Sequence, residues 1–119
     1  MARVDLYDLL VRVTKQKDPR VSYSEVSAGL TDHPDPHHGL SVPLCELNCE
    51  CKKAGLPPIS AVVVQRDENG QLGIPGVGFW NCPAVEPDPK TGLARMEKWL
   101  GFLKQVQNAK WPARIPGLG

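Results

Sequence analysis

Helix and strand can form only where prolines and glycines leave room for them. This 119-residue chain holds twelve prolines and eleven glycines, about 19% of its residues against a usual ~12%. They gather in three stretches, 31–43, 55–58 and 70–92. The windows left between them are 3–16, 21–29, 42–54, 59–65 and 91–110. A chain divided in this way makes short elements joined by long, shaped loops. Its length suits one domain with a modest core rather than two. Hydrophobic content of 41% and charged content of 23% are those of a folded protein, not of a disordered one.

Each window has a readable pattern. In 3–16, Val4, Tyr7, Leu10, Val11 and Thr14 share a helical face, with Leu6 and Val13 beside them. Asp5 and Asp8 near its start and Lys15 and Lys17 near its end suit the helix dipole. Asp18-Pro19 stops it. Ser22 and Glu25 form a capping box for a short second helix, with Gly29 as its left-handed end. TDHPDPHHG at 31–39 is a loop. A third helix is expected from Val42 to Ala54, capped by Ser41, tolerating Pro43 in its first turn and closed by Gly55. Its apolar stripe is Leu40, Leu44, Leu47, Cys51 and Ala54.

Ile59–Gln65 is β-branched and bounded by breakers, which predicts a strand. Arg66–Gly70 is a turn in which Asn69-Gly70 favours positive φ. An irregular return strand is expected within 71–81, followed by an extended connector at 82–90. Thr91 opens a last helix. Leu93, Met96, Leu100 and Leu103 line one face of it, joined by Trp99, Phe102 and Val106. The expected fold is α+β: three N-terminal helices, a small antiparallel, wing-like β-ribbon and a C-terminal helix. Residues 1–110 form the domain, and 111–119 are expected to be a loose tail.

Charge is balanced overall and unbalanced locally. Residues 1–20 carry five basic and three acidic side chains, 21–89 carry three and nine, and 90–119 carry six and one. Either the basic end faces a partner or it packs on the acidic middle. The residues singled out for a partner-facing surface are Arg95, Lys98, Trp99 and Trp111. Packing of that helix over the sheet is the simpler account.

Three helices followed by a ribbon give a winged-helix-like order. In it, 42–54 is the recognition helix and the 66–70 turn the wing tip. The DNA-contacting candidates are then Asn48, Lys52, Lys53 and Arg66. Glu46 and Glu50 on the same helix, and Asp67 and Glu68 at the tip, oppose a phosphate surface. The stretches VSYSEVSAGL, GLSVPLCEL and LPPISAVVVQRDENGQLGIPG, within residues 21–76, resemble the winged-helix domain of alkylguanine-DNA alkyltransferases and their alkyltransferase-like relatives. The resemblance implies a DNA-binding fold. The alkyl-accepting Pro-Cys-His-Arg motif is absent, since Ala61-Val62-Val63-Val64 stands in its place, so transfer chemistry is not implied. The combination SAVVV with GIPGVGF also resembles small proteins encoded by phages and mobile elements.

Four cysteines, at 45, 49, 51 and 82, and three histidines, at 33, 37 and 38, are the reactive inventory. Cys45 and Cys49 share a helix face, and His37 lies in the preceding loop, so these three are the weak metal-ligand candidates. A second cysteine knuckle is missing, and reduced, buried thiols are the default expectation. Gly70, Gly73, Gly76 and Gly78 lack the Lys and hydroxyl of a phosphate loop. No complete catalytic motif is present, and no cofactor is expected. The chain has no run of about 18 apolar residues and no signal-peptide core, so a cytoplasmic location is expected. The functional expectation is a non-enzymatic binding module, encoded by a phage or mobile element. Its target is a host macromolecule, with a protein partner preferred and duplex DNA the alternative.

Overall fold

A computed structural model describes residues 2–119. In chain order it contains α1 (Val4–Thr14), β1 (Val21–Ser22), α2 (Tyr23–Gly29), α3 (Ser41–Lys53), a 3-10 turn at Ile59–Val62 and β2 (Val63–Val64). It continues with α4 (Val77–Trp80), a second 3-10 turn at Pro83–Val85 and α5 (Gly92–Asn108). The mixed helix–strand class and the four expected helical windows stand.

The sheet differs from the expected antiparallel ribbon. β1 and β2 pair in parallel, with Val21 opposite Val63 and Ser22 opposite Val64. The pairing is two residues long because Ser22 is also the N-cap of α2, its hydroxyl accepting the Glu25 N–H at 3.2 Å. A strand cannot continue through a residue that starts a helix. Ile59–Val62 therefore has no ladder partner and coils into a 3-10 turn instead of extending. Ile59 through Val64 are nonetheless buried and form the centre of the molecule. The antiparallel component survives only as an irregular hairpin. Gln65 donates to the Ile74 carbonyl at 2.9 Å and accepts from Gly73 N–H at 2.8 Å, and a single bridge joins Arg66 to Leu72. Gly70 at its tip has φ +76°, as Asn-Gly turns require. Where a return strand was expected, Val77–Trp80 forms one helical turn and buries both Phe79 and Trp80.

Two apolar clusters flank the central segment. Leu6, Tyr7, Leu10 and Val13 of α1 meet Val26, Leu44, Leu47, Cys51 and Ile59 in the first. Phe79, Trp80, Cys82, Val85 and Trp99 close over Ala61 and Val64 in the second. Gly29 is not a left-handed cap. A Cβ there would lie 2.5 Å from Leu9 Cδ1, so its role is close approach between α1 and α2. Gly55 does take the left-handed conformation, φ +76°, and closes α3 as expected.

Residues 111–119, expected to be loose, are tied to the N-terminal region. The Tyr7 hydroxyl donates to the Pro112 carbonyl at 2.5 Å, and Arg114 pairs with Asp8 at 2.8 Å. Ala2 N–H donates to Gly117, and Gly119 N–H donates back to Ala2, both at 2.9 Å. Ile115 is buried.

Candidate functional site

α3 presents Ser41, Leu44, Cys45 and Asn48 along one stripe, one helical turn apart. This stripe forms a wall of a cavity of about 540 Å³. The start of α2, the end of β2 and the glycine-rich 76–79 segment close the other sides. Tyr23, His37, Gln65, Arg66 and Phe79 face into it. The Tyr23 hydroxyl accepts the Gly76 N–H at 3.0 Å, and burial pushes its pKa up. A side chain at position 76 would press on Gln65 Nε2 at 3.2 Å, so glycine lets the loop close. Ser41, Cys45, Gly78 and Cys82 separate this cavity from a second groove of about 560 Å³, into which Glu46, Cys49 and Glu50 also project.

The four DNA-contacting candidates are not assembled into one surface. Asn48 is buried, 1% exposed. Its Nδ2 donates to Ser60 Oγ at 2.6 Å, and its Oδ1 accepts the Ser60 N–H at 3.0 Å. Arg66 is held by Glu25 at 2.5 Å and by the Gly70 carbonyl at 2.6 Å. Lys52 and Lys53 are exposed in the last turn of α3, away from its cavity-lining turns, with Lys53 on Glu50 at 3.0 Å.

The partner-facing candidates are likewise engaged within the chain. Trp99 is buried and donates its indole N–H to the Ala61 carbonyl at 2.8 Å. Trp111 donates to the Val106 carbonyl at 2.9 Å and stacks edge-on with Tyr7. Arg95 pairs with Asp88 at 2.6 Å and lies over the Trp80 ring. That pairing holds the Asp88 carboxyl well down, at a pKa of about 2. Lys98 caps the Val85 and Pro87 carbonyls and lies over Phe102. All four of these side chains thus have partners within the chain.

What the helix does present is the outer part of its apolar face. Leu93, Met96 and Leu100 are 74%, 37% and 51% exposed. The two apolar stripes of α5 overlap in sequence, and the bulkier one, carrying Trp99 and Val106, turns inward.

The thiols also differ from the default of separate, reduced groups. Cys45 and Cys82 are joined by a disulfide with Cα atoms 5.5 Å apart. Cys49 and Cys51 are free, and burial pushes the Cys51 thiol up to about 12. Among the described residues, Cys45, Cys49 and Cys82 form a cluster whose sulfurs all lie within 4.8 Å of one another. His37 lines the first cavity and is not part of the sulfur cluster. Cys82 was missed as a partner because no local spacing links it to a helix 37 residues earlier.

Among the described residues, no helix is long and apolar enough to cross a membrane. Compared with family models, curated proteins and solved structures, the chain matches none of them.

Proposed function

We propose that this chain is a protein-binding module whose contact face is the outer stripe of α5. The observation that carries the reading is the exposure of Leu93, Met96 and Leu100 at helical spacing on a helix whose inner face is already packed. Such a stripe remains available for a second apolar surface. Exposed Glu97 and Lys104 lie beside it and supply a charged rim. The partner is a protein with an apolar groove wide enough for one helix face. That this partner belongs to a host, and the chain to a phage or mobile element, rests on the likeness of the SAVVV and GIPGVGF stretches alone.

The winged-helix-like order keeps duplex DNA as the alternative. It is weakened by the engagement of Asn48 and Arg66 and by Glu46 and Glu50 on the helix meant to enter the groove. The two readings separate in one comparison. The variant Leu93→Glu/Leu100→Glu alters exposed side chains only, so it folds normally. Its affinity for a captured partner protein falls by roughly tenfold or more, a change of ~1.4 kcal/mol or greater. Lys52→Ala/Lys53→Ala leaves that affinity unchanged. A duplex-DNA shift at ~50 mM salt that vanishes in the lysine variant, or a leucine variant that binds as the parent does, overturns the proposal.

A further inference from the structure

We infer that Cys45, Cys49 and Cys82 form a redox-gated binding site for a thiophilic divalent cation, zinc in the first place. Cys45 and Cys49 stand one turn apart on α3, and the turn following α4 delivers Cys82 to the same point. Their sulfurs lie within 4.8 Å of one another. Zinc–thiolate bonds of about 2.3 Å in a tetrahedron place sulfurs ~3.8 Å apart, inside that radius. Cys45 and Cys49 are half-buried and all three open onto the second groove. The remaining ligand-bearing side chains of that groove are Glu46 and Glu50, and none of the residues lining it is basic. Once reduced, the three thiols can give up their protons to a metal cation, with no basic side chain lining the groove to compete with it. Sulfur donors select zinc over calcium or magnesium. Glu50 is engaged by Lys53, so the fourth position falls to water or to the exposed Glu46.

The disulfide and the metal exclude each other, because both use Cys45 and Cys82. In the structure the S–S bond is formed and the site is closed. A dithiol reductant opens it. The S–S bond breaks, two electrons and two protons pass to the protein sulfurs, and the reductant ends as its own disulfide. Metal binding then releases the three thiol protons. Cys51 takes no part. It lies in the other apolar cluster with its thiol pushed well up by burial.

Cobalt(II) serves as the spectroscopic probe. The protein is reduced with a phosphine, freed of excess reductant without air, checked for native circular dichroism and titrated with cobalt. The expected result is one cobalt per chain, with sulfur-to-metal charge-transfer and tetrahedral visible bands that zinc abolishes. Without reduction, neither band develops. Cys51→Ala retains the site. Cys49→Ser weakens it by more than the ~10–100-fold that loss of an outer hydrogen-bond partner costs a metal site. Reduced, folded parent protein without these bands overturns the proposal. So does equal binding by the oxidised protein, or a Cys49→Ser variant with undiminished affinity.

Discussion

Replacing Asn48 with alanine tests the assignment of this residue to the interior. Its side chain makes two bonds to one residue, donating to Ser60 Oγ at 2.6 Å and accepting from Ser60 N–H at 3.0 Å. Both residues are buried, at 1% and 4% exposure. In Asn48→Ala the Ser60 hydroxyl can turn elsewhere, but the Ser60 N–H cannot. A buried donor left without a partner costs about 1–3 kcal/mol, and the vacated volume adds about 1 kcal/mol. The expected loss is therefore about 2–4 kcal/mol, read as a lower urea midpoint with an unchanged slope. Ser60→Ala keeps the backbone N–H bonded to Asn48 but leaves the Asn48 Nδ2 donor without its acceptor, and costs about 1–3 kcal/mol with a smaller vacated volume. The double variant costs little more than Asn48→Ala alone, because the two changes remove one network. Amide exchange at Ser60 accelerates only when Asn48 is gone. An Asn48→Ala variant with parental stability and weakened DNA binding would refute the reasoning, since Asn48 would then face outward as a base-reading residue.

The other expectations follow the same logic. Cys51 resists alkylation at pH 8 in the native protein and reacts fully on unfolding, because burial holds its thiol at about 12; labelling at the native rate of an exposed thiol contradicts this. Asp88 is depressed to about 2 when folded against an ordinary 3.8. Its pairing with Arg95 therefore stabilises the fold above about pH 4, and the contribution is lost as pH falls from 4 toward 2. Asp88→Asn flattens that part of the acid-denaturation profile, and an unchanged profile rejects the pairing. Tyr7→Phe removes the bond to the Pro112 carbonyl and costs about 1 kcal/mol, with faster amide exchange in 111–119 than in α5. Gly39→Ala forces a Cβ to 2.8 Å from the Asp35 backbone nitrogen and lowers stability by about 1–3 kcal/mol, measured by thermal unfolding.

Local chemistry was legible in the sequence, and choice of partner was not. The Ser22 N-cap of α2, the Gly55 terminus and the Asn69-Gly70 turn each depend on residues within four positions. All three occur where the side chains dictate. The strand at 59–65 failed for a reason outside its own residues. A β-branched segment extends only if another strand takes its hydrogen bonds, and β1 ends where Ser22 turns into α2. The inward face of α5 was ambiguous because apolar residues cover most of its circumference, and the larger area of Trp99 and Phe102 decided it. Asn48 looked like a polar surface residue of a recognition helix. Its partner, twelve positions on, sits in the segment expected to be sheet.

α3 shows most clearly how one helix can suit two readings until its neighbours are known. Cys45 and Cys49 share a face by spacing alone, so the pair could be read directly. That spacing could not show that the turn after α4 would add a third sulfur, or that Ser41, Cys45, Gly78 and Cys82 would become the partition between two cavities. A helix inserted into a DNA groove needs cationic side chains on its outward face. The outward side of α3 instead carries Glu46, Cys49 and Glu50 onto a groove that no basic residue lines. The lysines come only at its last turn, where they answer the negative end of the helix dipole and one of them already holds Glu50. The charge that opposes a phosphate surface there is therefore the same charge that favours a metal cation beside the three sulfurs.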